Sequence, residues 1–247
     1  MNIRAELRKA FTTRVVWALL IVLAAFVALN VVAGVLASGL EGAPSLQEES
    51  TVRSIWASAG AGGVLVLILG ILAMTTEYRH QTITATFLAT PRRGRVVATK
   101  MLAYGLIGLL FAAVAALLTT ALAPLLLSLR DAASVDPEVI ARIVLGGALA
   151  TALYGVLGVS VGALVRNQIA AVVAALVWVL LAEALLVALL PAVGKWLPGG
   201  AANSLVQATS ADGSSLLPAW GGALLMTGYA VAFGVLATLV TVRRDVT

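Results

Sequence analysis

Six separate stretches of this chain run for about 20 residues or more with almost no charge: 15–36, 57–76, 101–127, 139–165, 169–190 and 220–242. A helix needs about 20 apolar residues to cross the ~30 Å hydrocarbon of a bilayer. The expected fold is therefore an all-α integral membrane protein with six transmembrane helices and both termini on one side. Composition agrees, because 61% of residues are hydrophobic and only 11% are charged, against about 25% charged in soluble domains. No repeat, low-complexity tract or composition break divides 1–247, so the chain reads as a single transmembrane domain with little mass outside the membrane.

Charge decides which way that domain faces. With the termini inside, the inner segments hold Arg4, Arg8, Lys9, Arg14, Arg79, Arg92, Arg93, Arg95, Lys100, Arg166, Arg243 and Arg244, twelve of the sixteen basic residues. The outer segments hold only Arg53, Arg130, Arg142 and Lys195. By the positive-inside rule the N- and C-termini and the connector 77–100 are expected to be cytoplasmic, and the expected location is the cell (plasma) membrane. The run 15–36 is longer than the core of a secretory signal, so it is expected to stay as an uncleaved span. Before it, Ile3, Leu7 and Phe11 recur at i, i+4, i+8 while Arg4 and Arg8 fall elsewhere, the pattern of a short helix lying in the inner interface. On the outer side, 37–56 and 128–138 read as short polar links. Segment 192–219 is too apolar for a plain loop and is expected to dip into the membrane or lie on it, helical or covered by protein.

Much chemistry is excluded by residue type. There is no cysteine and one histidine, His80, so thiolate metal sites, thiol nucleophiles and imidazole clusters are out of reach. Gly158-Val-Ser160-Val-Gly162 matches the nucleophile-elbow pattern, but that motif needs a strand-to-helix turn and here lies in an apolar helix. Gly147, Thr151, Gly155, Gly158 and Gly162 instead form a small-residue face for close helix packing, against a helix of this chain or of a second copy. No phosphate-binding loop of the G-x-x-x-x-G-K-[ST] type occurs, so active transport would need another polypeptide to bind the nucleotide. The basic residues sit at span ends, where they orient the chain, and no nucleic-acid partner is expected.

One ionisable residue lies inside an expected span, Glu183. A carboxylate at that depth must be neutralised, paired or turned to a wet cavity. Two readings stand: a buried ion pair, with Arg142 the candidate partner by depth, or a site for a cationic substrate or a proton.

The connector 77–100 reads EYRHQTITATFLATPRRGRVVATK. Thr90-Pro91-Arg92-Arg93 has the form of a helix start, Thr90 as N-cap and Pro91 in the first turn. Ile83 and Phe87 give the preceding segment a small apolar face. Two short elements meeting at a proline make a compact knob; the alternative is a solvated connector whose arginines only orient the chain.

Glu77, Thr82, Leu88, Thr90, Pro91 and Arg92 with Arg93, Arg95 and Lys100 resemble the connector after span two of type-2 ABC exporter permeases, especially small six-span permeases of actinobacterial type. Gln81 stands where that family commonly has glycine. The likeness extends to the six-span layout, the N-terminal helix and Leu197-Pro198-Gly199. It implies a permease subunit, not itself an enzyme, that pairs with a second permease copy (a homodimer in a 2+2 complex) and with separate ATP-binding subunits. ATP and Mg would sit on that partner, with no cofactor or metal on this chain. Coupling to the ATPase would run through Glu77, Arg79, Thr82, Phe87, Leu88, Pro91, Arg92 and Arg93. The cargo would be a drug, lipid, peptide or glycan precursor moved outward through a cavity between the permeases. The alternatives are a non-transporting membrane scaffold, sensor or passive channel, and an intramembrane enzyme dependent on Ser160 or Glu183.

Overall fold

A computed structural model describes residues 2–38, 40, 42–89, 93–206 and 216–243. The described residues are almost entirely helical and contain six helices long and apolar enough to cross a membrane, the build of a multi-pass membrane protein. In chain order the helices are α1 (Ile3–Thr12), α2 (Arg14–Ala37), α3 (Glu49–Trp56), α4 (Gly63–Arg79), α5 (Thr82–Ala89), α6 (Arg93–Leu127), α7 (Pro137–Val165), α8 (Gln168–Val177), α9 (Glu183–Leu189), α10 (Pro191–Gly194), α11 (Pro198–Leu205) and α12 (Ala219–Arg243).

Spans one and six follow the apolar runs closely; spans two, three and five carry departures with physical causes. Span two is entered through α3 and a 3₁₀ turn, Ala57–Gly60, before α4 begins. There the backbone passes so close to α7 that a Cβ on Gly60 would lie 3.1 Å from Gly147 Cα, and one on Gly62 3.1 Å from the Thr151 methyl. Span three starts at Arg93, well before the apolar run, and α6 is 35 residues long. At 1.5 Å per residue it reaches about 52 Å, some 20 Å more than the hydrocarbon needs. Span five is α8 and α9 joined by a π-helical stretch, Trp178–Ala182.

The small-residue face of α7 is used within the chain. A Cβ on Gly158 would lie 3.0 Å from Gly70 Cα, one on Gly162 3.1 Å from Ile71 Cα, and one on Gly155 3.0 Å from Val66. The stripe therefore lets α4 pack backbone to backbone on α7, and Gly155 also admits the Tyr104 carbonyl of α6. Segment 192–206 is largely helical, and Gly200, Ala201, Ser204 and Leu205 of α11 are buried against α7 and α12.

The two ends of the bundle are distinct. At one end the Ala133 N–H donates to the Leu46 carbonyl at 2.7 Å and Gln47 Nε2 to the Asp131 carbonyl at 2.8 Å, joining the two short polar connectors. At the other end Ile83 of α5 is buried in a cluster with Met74, Val96, Val97, Ala163 and Ala237. α5, the adjoining ends of α4, α6 and α7 and the late part of α12 thus pack together.

Candidate functional site

The site at this end begins with α1. Asn2 caps it, accepting the Arg4 N–H at 3.3 Å. Ile3, Leu7 and Phe11 pack against the bundle core, while Arg4 and Arg8 are exposed. Glu6 lies on the same inward stripe, three residues after Ile3 and four before Ala10, and is buried.

Its partner is Lys100, on the second turn of α6, whose side chain is 1% exposed. Lys100 Nζ lies 2.7 Å from Glu6 Oε2 and 2.8 Å from Glu77 Oε1. Glu77, on the last turn of α4, is 2% exposed and also accepts from the half-exposed Lys9. Two carboxylates and two ammonium groups balance, which is the condition for holding such charge out of water. A cavity of about 200 Å³ beside the cluster is lined by Glu77, Lys100, Glu6, Tyr104 and Gln168. Three elements far apart in sequence, α1, α4 and α6, are tied by one buried lysine.

The connector leaves this cluster through an unusual backbone. Gln81 has φ +56°, in the left-handed region that costs a non-glycine residue about 1–2 kcal/mol. Glycine reaches this φ without a steric penalty. Gln81→Gly is expected to raise stability by about 1 kcal/mol, read as the shift in the midpoint of thermal unfolding in detergent. Thr82 then opens α5, its hydroxyl 3.5 Å from the Glu77 carbonyl. Ile83 anchors α5 in the core and Leu88, near its far end, is 79% exposed. Arg79 is exposed and reaches Gln168 Oε1 at 3.4 Å, and the Arg166 guanidinium stacks 5.2 Å from the Tyr78 ring centroid. Residues 77–89 are thus the end of α4, a tight turn and α5, which Ile83 pins to the bundle; the junction at Pro91 on which the expected knob turns lies outside the described residues. Thr90, Pro91 and Arg92 lie outside the described residues, as does the Phe87 side chain; Arg93 opens α6.

The other expected site residues separate. Glu183 and Arg142 do not form an ion pair. Arg142 is exposed and bonded to Glu138 one turn earlier on α7, whereas Glu183 is buried and accepts the Gly199 N–H at the start of α11. One oxygen of this carboxylate thus takes a backbone donor at a helix N-terminus, where the helix dipole favours negative charge, in place of the Arg142 side chain. Arg142→Ala is accordingly expected to change stability by less than about 0.5 kcal/mol, checked by the same thermal scan. Ser160 is buried in unbroken helix and donates to the Val156 carbonyl at 2.8 Å, not the strand-to-helix turn of a nucleophile elbow.

The residue pattern alone does not single out Glu6, Lys9 or Tyr104 as site residues. The available signal for Glu6 was a carboxylate on the apolar stripe of a short amphipathic helix. No protein-family model matches the chain, and no curated protein matches it.

Proposed function

We propose that this chain is the permease subunit of an ATP-driven ABC exporter of the type-2 class, set in the cell membrane with both termini in the cytoplasm. The observation that carries this reading is the buried Lys100, which joins Glu77 at the end of span two to Glu6 of the N-terminal helix and to span three. A motor outside the membrane has to move spans by pushing on what protrudes. Here α1, the end of α4 and the over-long inner end of α6 form one charge-locked block, and the connector helix α5 is anchored beside it through the buried Ile83. A push on α5 is passed to α4 and α6 as a tilt, not absorbed in a loose loop. Twelve basic residues in the segments read as inner support this orientation, and α1 would lie at the inner interface with Arg4 and Arg8 towards water.

In this reading the chain pairs with a second permease copy and with ATP-binding subunits that carry ATP and Mg, and performs no chemistry of its own. The exposed Leu88 and Arg79 are the first contacts for the partner, with Pro91, Arg92 and Arg93 following them in the chain. Co-expression with the ATP-binding subunit and reconstitution of the purified complex in lipid tests the proposal. Stable co-purification and ATP hydrolysis are expected. A chain that binds no ATP-binding subunit, or a complex that never hydrolyses ATP, overturns it.

A further inference from the structure

Glu183 leaves a second question, because capping α11 uses only one of its oxygens. Oε1 accepts the Gly199 N–H, while Oε2 is buried and has no hydrogen-bond partner. Lys195, further along the chain, places Nζ 6.0 Å from the Trp196 ring centroid instead of on this carboxylate. The approach is built for the carboxylate, since a Cβ on Gly199 would lie 2.8 Å from Oε1.

The same residue lines a cavity of about 710 Å³, with Tyr154, Val64, Val187 and Asn203. Next to it lies a second cavity of about 490 Å³ that shares Tyr154 and Val179 and adds Trp178, Tyr229 and Phe233. Each has the volume of a small-molecule site, which typically spans about 300–1,000 Å³. A π-helical stretch, Trp178–Ala182, runs directly into Glu183, and such stretches are frequent at functional sites. A carboxylate beside a largely apolar cavity favours positive charge there, and aromatic side chains next to it can hold an organic cation by their ring quadrupoles.

We infer that the paired cavities around Glu183 and Tyr154 bind a monovalent lipophilic organic cation, the carboxylate supplying the counter-charge and Tyr154, Trp178, Tyr229 and Phe233 the apolar bed. As a bound ligand this cation does not depend on the exporter reading; as exported cargo it rests on it.

Tetraphenylphosphonium and tetraphenylborate have one shape and opposite charge. Equilibrium dialysis of each against the full chain in detergent is expected to show saturable binding of the cation at least about tenfold tighter than the anion. Glu183→Gln keeps an oxygen for the Gly199 N–H and is expected to abolish that preference. Equal affinity for the two ions in the wild-type chain, or a cation preference that survives Glu183→Gln, overturns the inference. The wild-type comparison decides even if the variant does not fold. No ATP-binding subunit enters the assay, so its failure leaves the coupling reading standing, and failure of that reading leaves the binding result intact.

Discussion

Lys100→Met is expected to cost about 3–5 kcal/mol, because it strands Glu6 and Glu77 as buried carboxylates without their shared cation. Lys100 is 1% exposed and bonds to both, and the half-exposed Lys9 can answer only for Glu77. The measurement is thermal unfolding of the purified chain in detergent. Adding Glu6→Gln and Glu77→Gln is expected to return most of the loss, since the neutral amides no longer require a counter-charge. Function separates the two effects. In the reconstituted complex the triple variant is expected to stay folded and to hydrolyse ATP without transport, because α1 is no longer locked to α4 and α6. Stability that does not fall in Lys100→Met would mean that the cluster is not buried as described.

Gly158→Val carries the second large effect. At this position α4 and α7 touch through backbone, with a Cβ on Gly158 placed 3.0 Å from Gly70 Cα and against the Leu67 carbonyl. A valine cannot be relieved by a rotamer change, because what it meets is main chain, so the helices must separate. Overpacking of this kind costs about 1–3 kcal/mol, and opening the interface along the stripe places this site at the upper end. Gly228→Val is the contrast: nothing lies within 4 Å of a Cβ there, and because valine is a slightly better helix former than glycine, no loss of stability, or a gain of about a few tenths of a kcal/mol, is expected. Thermal unfolding of the pair distinguishes a packing stripe from a generic intolerance of glycine substitution.

Much of the fold was legible because hydrocarbon leaves few choices. The length of apolar runs located the six helices, and the repeat of Gly147, Thr151, Gly155, Gly158 and Gly162 identified the face of α7 that meets a neighbour. Whether the neighbour was in the chain or in a second copy was not legible, since a stripe states how closely a helix can be approached but not by what. The same limit applies to the site. Glu77 and the connector were marked by charge and spacing, yet Glu77 meets Lys100 only when α4 and α6 run antiparallel with their ends level. Glu6 required α1 to fold back onto the bundle. Glu183 was recognised as costly, and Arg142 was paired with it by depth alone; depth fixes height in the membrane but not the direction a side chain faces round its helix. The Gly199 N–H that Glu183 takes instead is a backbone donor, and backbone donors leave no mark in a sequence.

The chain has no native cysteine, which makes the docking claim directly measurable. Leu88 on α5 is 79% exposed, and Leu129 at the opposite end of the bundle is 72% exposed. Single variants Leu88→Cys and Leu129→Cys, each offered a short thiol crosslinker to the proposed ATP-binding subunit, ask which end meets the motor. Crosslinking from position 88 that changes in yield with ATP, and none from position 129, is the expected result. No crosslink from position 88 in an intact complex, or equal crosslinking from both ends, would contradict a connector that couples this chain to a motor.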